Sequence, residues 1–176
     1  MPLQIEVDGS QLQQAESYKY LGTIIDADGK DGSEIKTRIA MARKAFKNIE
    51  RVLKDISIYL TVRLKILHCY VWSVVPYASE AWAINRKIEK RITVLEMWCY
   101  RCVNRIKWVD RVINAAVLSK IGVAEPILLK WIKDNKKRYI EEKRRNDRIF
   151  AVASTGIIVG KAPRGRRRRS ILDECI

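Results

Sequence analysis

The sequence predicts a mainly α fold: a helical bundle preceded by a small N-terminal β-hairpin and followed by a basic C-terminal arm. Three observations carry this. From Ile35 to Tyr139, apolar residues recur mostly at spacings of three and four, the period of a helix buried on one face. Before residue 30 the pattern alternates, with the period of two that marks a half-buried strand. After Asp147 the periodicity fades into Lys161-Ala-Pro-Arg-Gly-Arg-Arg-Arg-Arg169, a self-repelling segment with no apolar face and the composition of an arm without fixed structure when unbound. The chain is therefore divided into a β element at 1–31, a bundle at 32–146 and an arm at 147–176.

Leu3-Gln-Ile-Glu-Val7 reads as a first strand, broken by Asp8-Gly9, and Tyr18–Ile25 as a second, ended by Asp26-Ala-Asp-Gly29. Two strands are marginal alone, so they must lean on the helices. Ser33 is placed to cap the first helix, with Glu34 near its positive end and Ile35, Ile39, Ala42, Phe46, Ile49 and Leu53 on one stripe. Thr61 is placed to cap a second, carrying Leu64, Leu67, Val71, Val74, Ala78 and Trp82, with a kink or break expected at Pro76. A third runs from Arg86 to Lys107 with Ile88, Ile92, Leu95, Cys99, Cys102 and Ile106 inward. Asp110 and Gly122 bracket a short fourth helix. Glu125-Pro126 resembles a cap and first turn for a fifth, which presents Ile127, Leu128, Trp131, Ile132 and Tyr139.

Charge speaks of partners rather than of fold. Lys and Arg number 35 against 20 Asp and Glu, a net charge of +15. The excess is concentrated late: Lys133–Arg169 holds 14 basic and 4 acidic residues. A polyanion such as RNA or DNA is the expected partner. A membrane is not, because no run of about 18 apolar residues occurs and the basic tail lacks interleaved apolar anchors. Met1–Gly9 has acids and no apolar stretch, so no secretory leader is read and an intracellular location is expected. The Arg166–Arg169 run reads as a nuclear-import signal, a nucleic-acid arm or a solvated tail.

The remaining chemistry-bearing residues have structural readings. Cys99-Tyr-Arg-Cys102 is a C-x-x-C pair, but both cysteines fall in step with an apolar stripe, and His68, Cys69 and Cys175 lack ligand spacing. Core packing is preferred to metal or redox chemistry. Asp26 and Asp28 precede Gly29 and read as turn residues rather than metal ligands. His68 reads as a packing residue, and no nucleophile–base set or glycine-rich phosphate loop is visible. The five tryptophans read mainly as core, with one or two free to stack on a base.

Several blocks together resemble the end of a non-LTR (LINE-type) retrotransposon reverse transcriptase. They are Tyr18-Lys-Tyr-Leu-Gly-Thr-Ile-Ile25, Glu34–Ala40 with Ala45-Phe46, Cys69–Ser73, Tyr77 with Glu80-Ala-Trp82, Glu96–Arg101, Arg144–Asp147 and Gly160–Arg166. The resemblance extends from Ile5 to about Glu174, and its strength lies in the order of the blocks. It implies that Tyr20, Leu21 and Gly22 match a primer-grip hairpin, and that the helices form a thumb-like bundle holding a template–primer duplex. The family's enzyme is an RNA-directed DNA polymerase that uses Mg2+ on an aspartate cluster. No adjacent Asp-Asp pair occurs here, and the resemblance places the catalytic palm upstream of Met1. No catalytic residue, metal ligand or cofactor is therefore assigned to these residues, and no polymerase or nuclease chemistry is expected of them alone. Two departures stand out: Tyr139-Ile-Glu-Glu-Lys143 replaces an aromatic followed by Gly-His, and Ala78 stands where relatives carry glycine.

The expected function is sequence-independent backbone binding through Lys36, Arg43, Lys47, Lys137, Arg138, Arg144, Arg145, Arg164, Arg166, Arg167, Arg168 and Arg169. The alternatives are a domesticated helical module that docks a protein or itself through exposed apolar surface, and the functionless product of a degenerate element.

Overall fold

The computed structural model describes residues 5–7, 10–12, 15–27 and 32–146. The expected arm, with Arg164 and Arg166–Arg169, lies outside the described residues, as does Asp28. The fold is mainly helical, as its periodicities predict.

Among the described residues, four short strands form two antiparallel ladders. β1 (Ile5–Val7) pairs with β2 (Ser10–Leu12), and β3 (Ser17–Tyr20) pairs with β4 (Thr23–Asp26), Tyr18 facing Ile25 and Tyr20 facing Thr23. The run expected as one strand from Tyr18 to Ile25 is thus folded in half. Leu21 (φ 48°) and Gly22 (φ 85°) are both left-handed, the geometry of a two-residue hairpin turn matched to strand twist. A Cβ on Gly22 would meet nothing within 4 Å, so backbone angle rather than space selects glycine there. Leucine at the preceding position hid the turn from the alternation, although the resemblance marks a hairpin at these residues.

α1 spans Gly32–Asn48, and the single turn α2 (Glu50–Leu53) continues its stripe. Ile35, Ala42, Phe46 and Leu53 are fully buried, with Ile39 and Ile49 packed against them. Ser33 is not the cap: it lies within the helix and donates its hydroxyl to the Asp26 carboxylate. Asp26 therefore ties the hairpin to α1.

α3 (Leu60–Tyr70) begins one residue before Thr61, with Tyr59 at its cap and no side-chain cap bond. Leu67 and Val71 enter the core. The break expected at Pro76 comes earlier and runs longer, through 3-10 turns at Trp72–Val74 and Ser79–Ala81. Ala78 between them is left-handed, at φ 59°.

α4 (Arg86–Val103) is capped by the Asn85 side chain, which accepts from the backbone of Lys87 and Ile88. It stops short of the expected Lys107 because Arg105 turns left-handed, at φ 55°. Ile88, Ile92, Leu95, Cys99 and Val103 point inward. α4 packs against α1, α5 and α6 and is the spine of the bundle.

Asp110 does not cap α5 (Asn114–Ile121); its carboxylate closes a preceding 3-10 turn by accepting from Lys107 N–H at 2.7 Å. Gly122, left-handed as expected, ends α5 by donating to the Ser119 carbonyl, while Val123 donates to that of Leu118.

α6 (Leu128–Asn146) begins beyond Glu125-Pro126 rather than with Pro126 in its first turn. Glu96, in the middle of α4, accepts from the backbone N–H of Ile127 at 2.8 Å and of Leu128 at 3.1 Å. The inward face of α6 repeats every four residues as Leu128, Ile132, Lys136 and Ile140, leaving Tyr139 exposed where burial was expected. Lys136 is 96% removed from solvent in effect, only 4% exposed, and donates from Nζ to the Trp82 carbonyl at 2.7 Å.

Candidate nucleic-acid interface

α1 and α4 each carry cations on the side next to their buried stripe. Where the helices meet, these side chains border an open groove of about 930 Å³. Its lining contains Lys36, Arg43, Lys44 and Lys47 from α1 with Lys90 and Arg91 from α4 and, among the described residues, no carboxylate. Ile39, Ala40, Val94 and Trp98 supply the apolar floor. Among the described residues none of these six cations takes part in an ion pair. Such a groove presents unneutralised charge over a low-dielectric floor, which concentrates its field toward an incoming anion.

Trp98 is held at the edge of this floor. Its ring lies 4.8 Å from that of Phe46, and the Arg43 guanidinium sits 5.6 Å above its centroid, within cation–π range.

Three of the predicted contact residues, Lys36, Arg43 and Lys47, come together here. Lys44, Lys90 and Arg91 were not singled out. Lys44 follows Arg43 in a visible basic cluster, but the two residues of α4 gain meaning only once that helix lies beside α1. Lys137, Arg138 and Arg145 are exposed on α6 and do not line the groove. The side chain of Arg144 lies outside what is described.

The turn formed by Tyr20, Leu21 and Gly22 is exposed yet firmly anchored. The Gly22 carbonyl accepts from Arg38 Nη2 at 2.8 Å, and the Leu21 carbonyl accepts from the Tyr77 hydroxyl at 2.8 Å. Glu34 accepts from Ile24 N–H at 2.7 Å and from Arg38 Nε at 2.6 Å. Arg38 also lies 4.3 Å from the centroid of the Tyr77 ring. A single helix therefore carries the hairpin on Glu34 and Arg38 and lines the groove from Lys36 to Lys47.

The other candidates have structural surroundings. Burial pushes the Cys99 thiol up to about 12, and burial also raises Cys102, conditions that suppress thiolate chemistry. Cys175 lies outside the described residues. Glu96 is raised above the ordinary carboxylate range by burial, against the pull of hydrogen bonds from Tyr100, Ile127 and Leu128. The Tyr100 hydroxyl, itself raised by burial and then by Glu96, donates to that carboxylate at 2.8 Å. No group of three or more His, Cys, Asp or Glu among the described residues is placed to hold a metal.

His68 is exposed on one side, with its ring 4.9 Å from Trp131 and 5.8 Å from Trp72. Trp72 and Trp82 are core and Trp98 and Trp131 half-buried, but Trp108 stands 94% exposed. No helix among the described residues is long and apolar enough to cross a membrane. No family model, curated protein or solved structure matches the chain.

Proposed function

We propose that the chain is a nucleic-acid clamp of the reverse-transcriptase thumb type, holding the backbone of a template–primer duplex without reading its sequence. The observation that carries this is the α1–α4 groove, in which six cations and, among the described residues, no acid line one surface. Lysine and arginine on helical flanks meet phosphates at positions independent of the bases, which orients a duplex without selecting it. The family resemblance adds the exposed turn at Tyr20, Leu21 and Gly22 as a primer-grip-like element, braced on the same helix. It gains support at Ala78: the position where resembling sequences carry glycine has the left-handed backbone that favours glycine. No catalytic step and no cofactor are assigned to these residues; in the family's full-length enzyme Mg2+ would act elsewhere.

The test is an anisotropy titration of an RNA–DNA hybrid at several salt concentrations. Neutralising about six phosphates gives a slope of log K on log salt of roughly −4 to −5. Reversing Lys44, Lys90 and Arg91 to glutamate should weaken binding equally for unrelated sequences and make the slope shallower by about 2 to 3. Salt-independent binding, or a triple variant that binds as the parent does, would remove the clamp.

A second reading, docking of a protein partner, is favoured by one feature. Tyr18, Tyr20 and Ile25 form an exposed apolar face on the β3–β4 hairpin. Concentration-dependent self-association, abolished by Tyr18→Ser with Ile25→Ser, would support it.

A further inference from the structure

A second recess, of about 730 Å³, opens on the far side of Trp98. Trp98 lines both it and the basic groove, so the two surfaces are continuous through one indole. The lining of the recess contains Arg101, Cys102, Ile106, Trp108, Val109, Arg111 and Val112, again without a carboxylate among the described residues.

The turn that carries Trp108 is built rather than loose. Lys107 N–H donates to Asp110, and Arg101 Nη2 donates to the Val112 carbonyl at 2.9 Å and to Asn114 Oδ1 at 2.7 Å. Asp110, the acid nearest this surface in sequence, thus has its carboxylate turned toward the backbone of its own turn. Trp108 is held out at 94% exposure, with Val109 at 78% beside it. An indole presents a broad flat apolar face whose burial is strongly favourable, so one left bare on a braced turn is a contact surface awaiting a partner.

We propose that this recess receives unpaired bases, with Trp108 as a stacking platform at the end of the basic groove. The occupant is the single-stranded extension of a nucleic acid whose phosphates lie along the α1–α4 cations. Charge complementarity decides the class of partner: Arg111 is exposed in the recess and six further cations continue beyond Trp98. A polyanion with flat aromatic groups satisfies both features at once, and every base offers a π-face irrespective of its identity. The inference rests on the clamp reading and deepens it by naming the single-stranded segment as ligand.

The experiment uses the full chain and two probes: a 12-nucleotide oligothymidylate and an abasic strand of the same length and charge. The parent should bind the thymidylate more tightly. Trp108→Ala should cost about tenfold on the thymidylate and nothing on the abasic strand, while Trp108→Phe keeps most of the preference. Lys90→Glu with Arg91→Glu should weaken both probes. If Trp108→Ala changes neither probe, or both equally, while charge reversal weakens both, stacking is overturned and the groove survives. If charge reversal changes neither, the groove reading itself fails. Loss of self-association in Trp108→Ala, with both nucleic-acid affinities intact, assigns the recess to a second copy of the chain and also overturns the proposal.

Discussion

Arg38 and Glu34 lie one turn apart on α1 as a buried ion pair, Nε to Oε1 at 2.6 Å, and each also holds a backbone group of the β3–β4 hairpin. Neither charge is left without partners, the condition under which burial of an ion pair is tolerated. Arg38→Ala removes one partner and strands the other. The expected loss is about 3–5 kcal/mol by urea denaturation, with faster hydrogen exchange at Ile24. A loss below about 1 kcal/mol would show that the hairpin is held by other contacts.

Glu96 sets an expected pH dependence. Its carboxyl titrates near 4.5 in the unfolded chain and higher in the folded one, because burial disfavours the charge. Between those values the folded state binds a proton that the unfolded state has lost. The stability this group contributes is therefore full below about pH 4.5 and declines as pH rises through the folded value. The difference in stability between parent and Glu96→Gln, followed from pH 4 to pH 8, should shrink in that direction. A difference that grows with pH would mean that the hydrogen bonds to the carboxylate outweigh its desolvation.

Thiol reactivity should separate the cysteines. Cys69 is exposed, whereas Cys99 is buried with its thiol pushed up to about 12. Iodoacetamide at pH 8 should modify Cys69 and leave Cys99 unmodified until urea unfolds the chain, as read by peptide mass spectrometry. Rapid native labelling of Cys99 would contradict the packing of α4.

Ala78 is strained by its left-handed backbone. Ala78→Gly removes that strain at the expense of a more flexible unfolded chain, and should raise stability by about 0.5–1 kcal/mol. Thermal melting of the two variants measures it; an unchanged or lower midpoint would place the backbone elsewhere.

Ile92→Asp or Leu95→Asp introduces a charge at a fully enclosed site without a partner. Either variant should lose cooperative melting. A retained sharp transition would mean that the inward face of α4 has been misplaced.

What could be read directly from the chain was what depends on near neighbours. The stripe from Ile35 to Leu53 and that from Ile88 to Cys99 identify their helices and their buried faces, because spacing alone determines which side chains share a side. Gly122 was legible as a helix end for the same reason. The Leu21-Gly22 turn was not legible in the alternation, since apolar residues on both sides mask a reversal whose left-handed position is occupied by leucine; only the resemblance marked a hairpin there. Nor was the cap of α6, because its acceptor, Glu96, is more than thirty residues away in the chain. Lys136 was indistinguishable from the solvated lysines around it until Trp82 supplied a carbonyl. The candidate groove was half visible: Lys36, Arg43 and Lys47 share one helix, but Lys90 and Arg91 join them only through packing.

The carboxylate of Glu96 that holds the beginning of α6 also makes opening of that helix's first turn costly. Opening the first turn of α6 would strip two amides from an enclosed acceptor and leave only the Tyr100 hydroxyl on it. Glu96→Ala should therefore speed hydrogen exchange at Ile127 and Leu128.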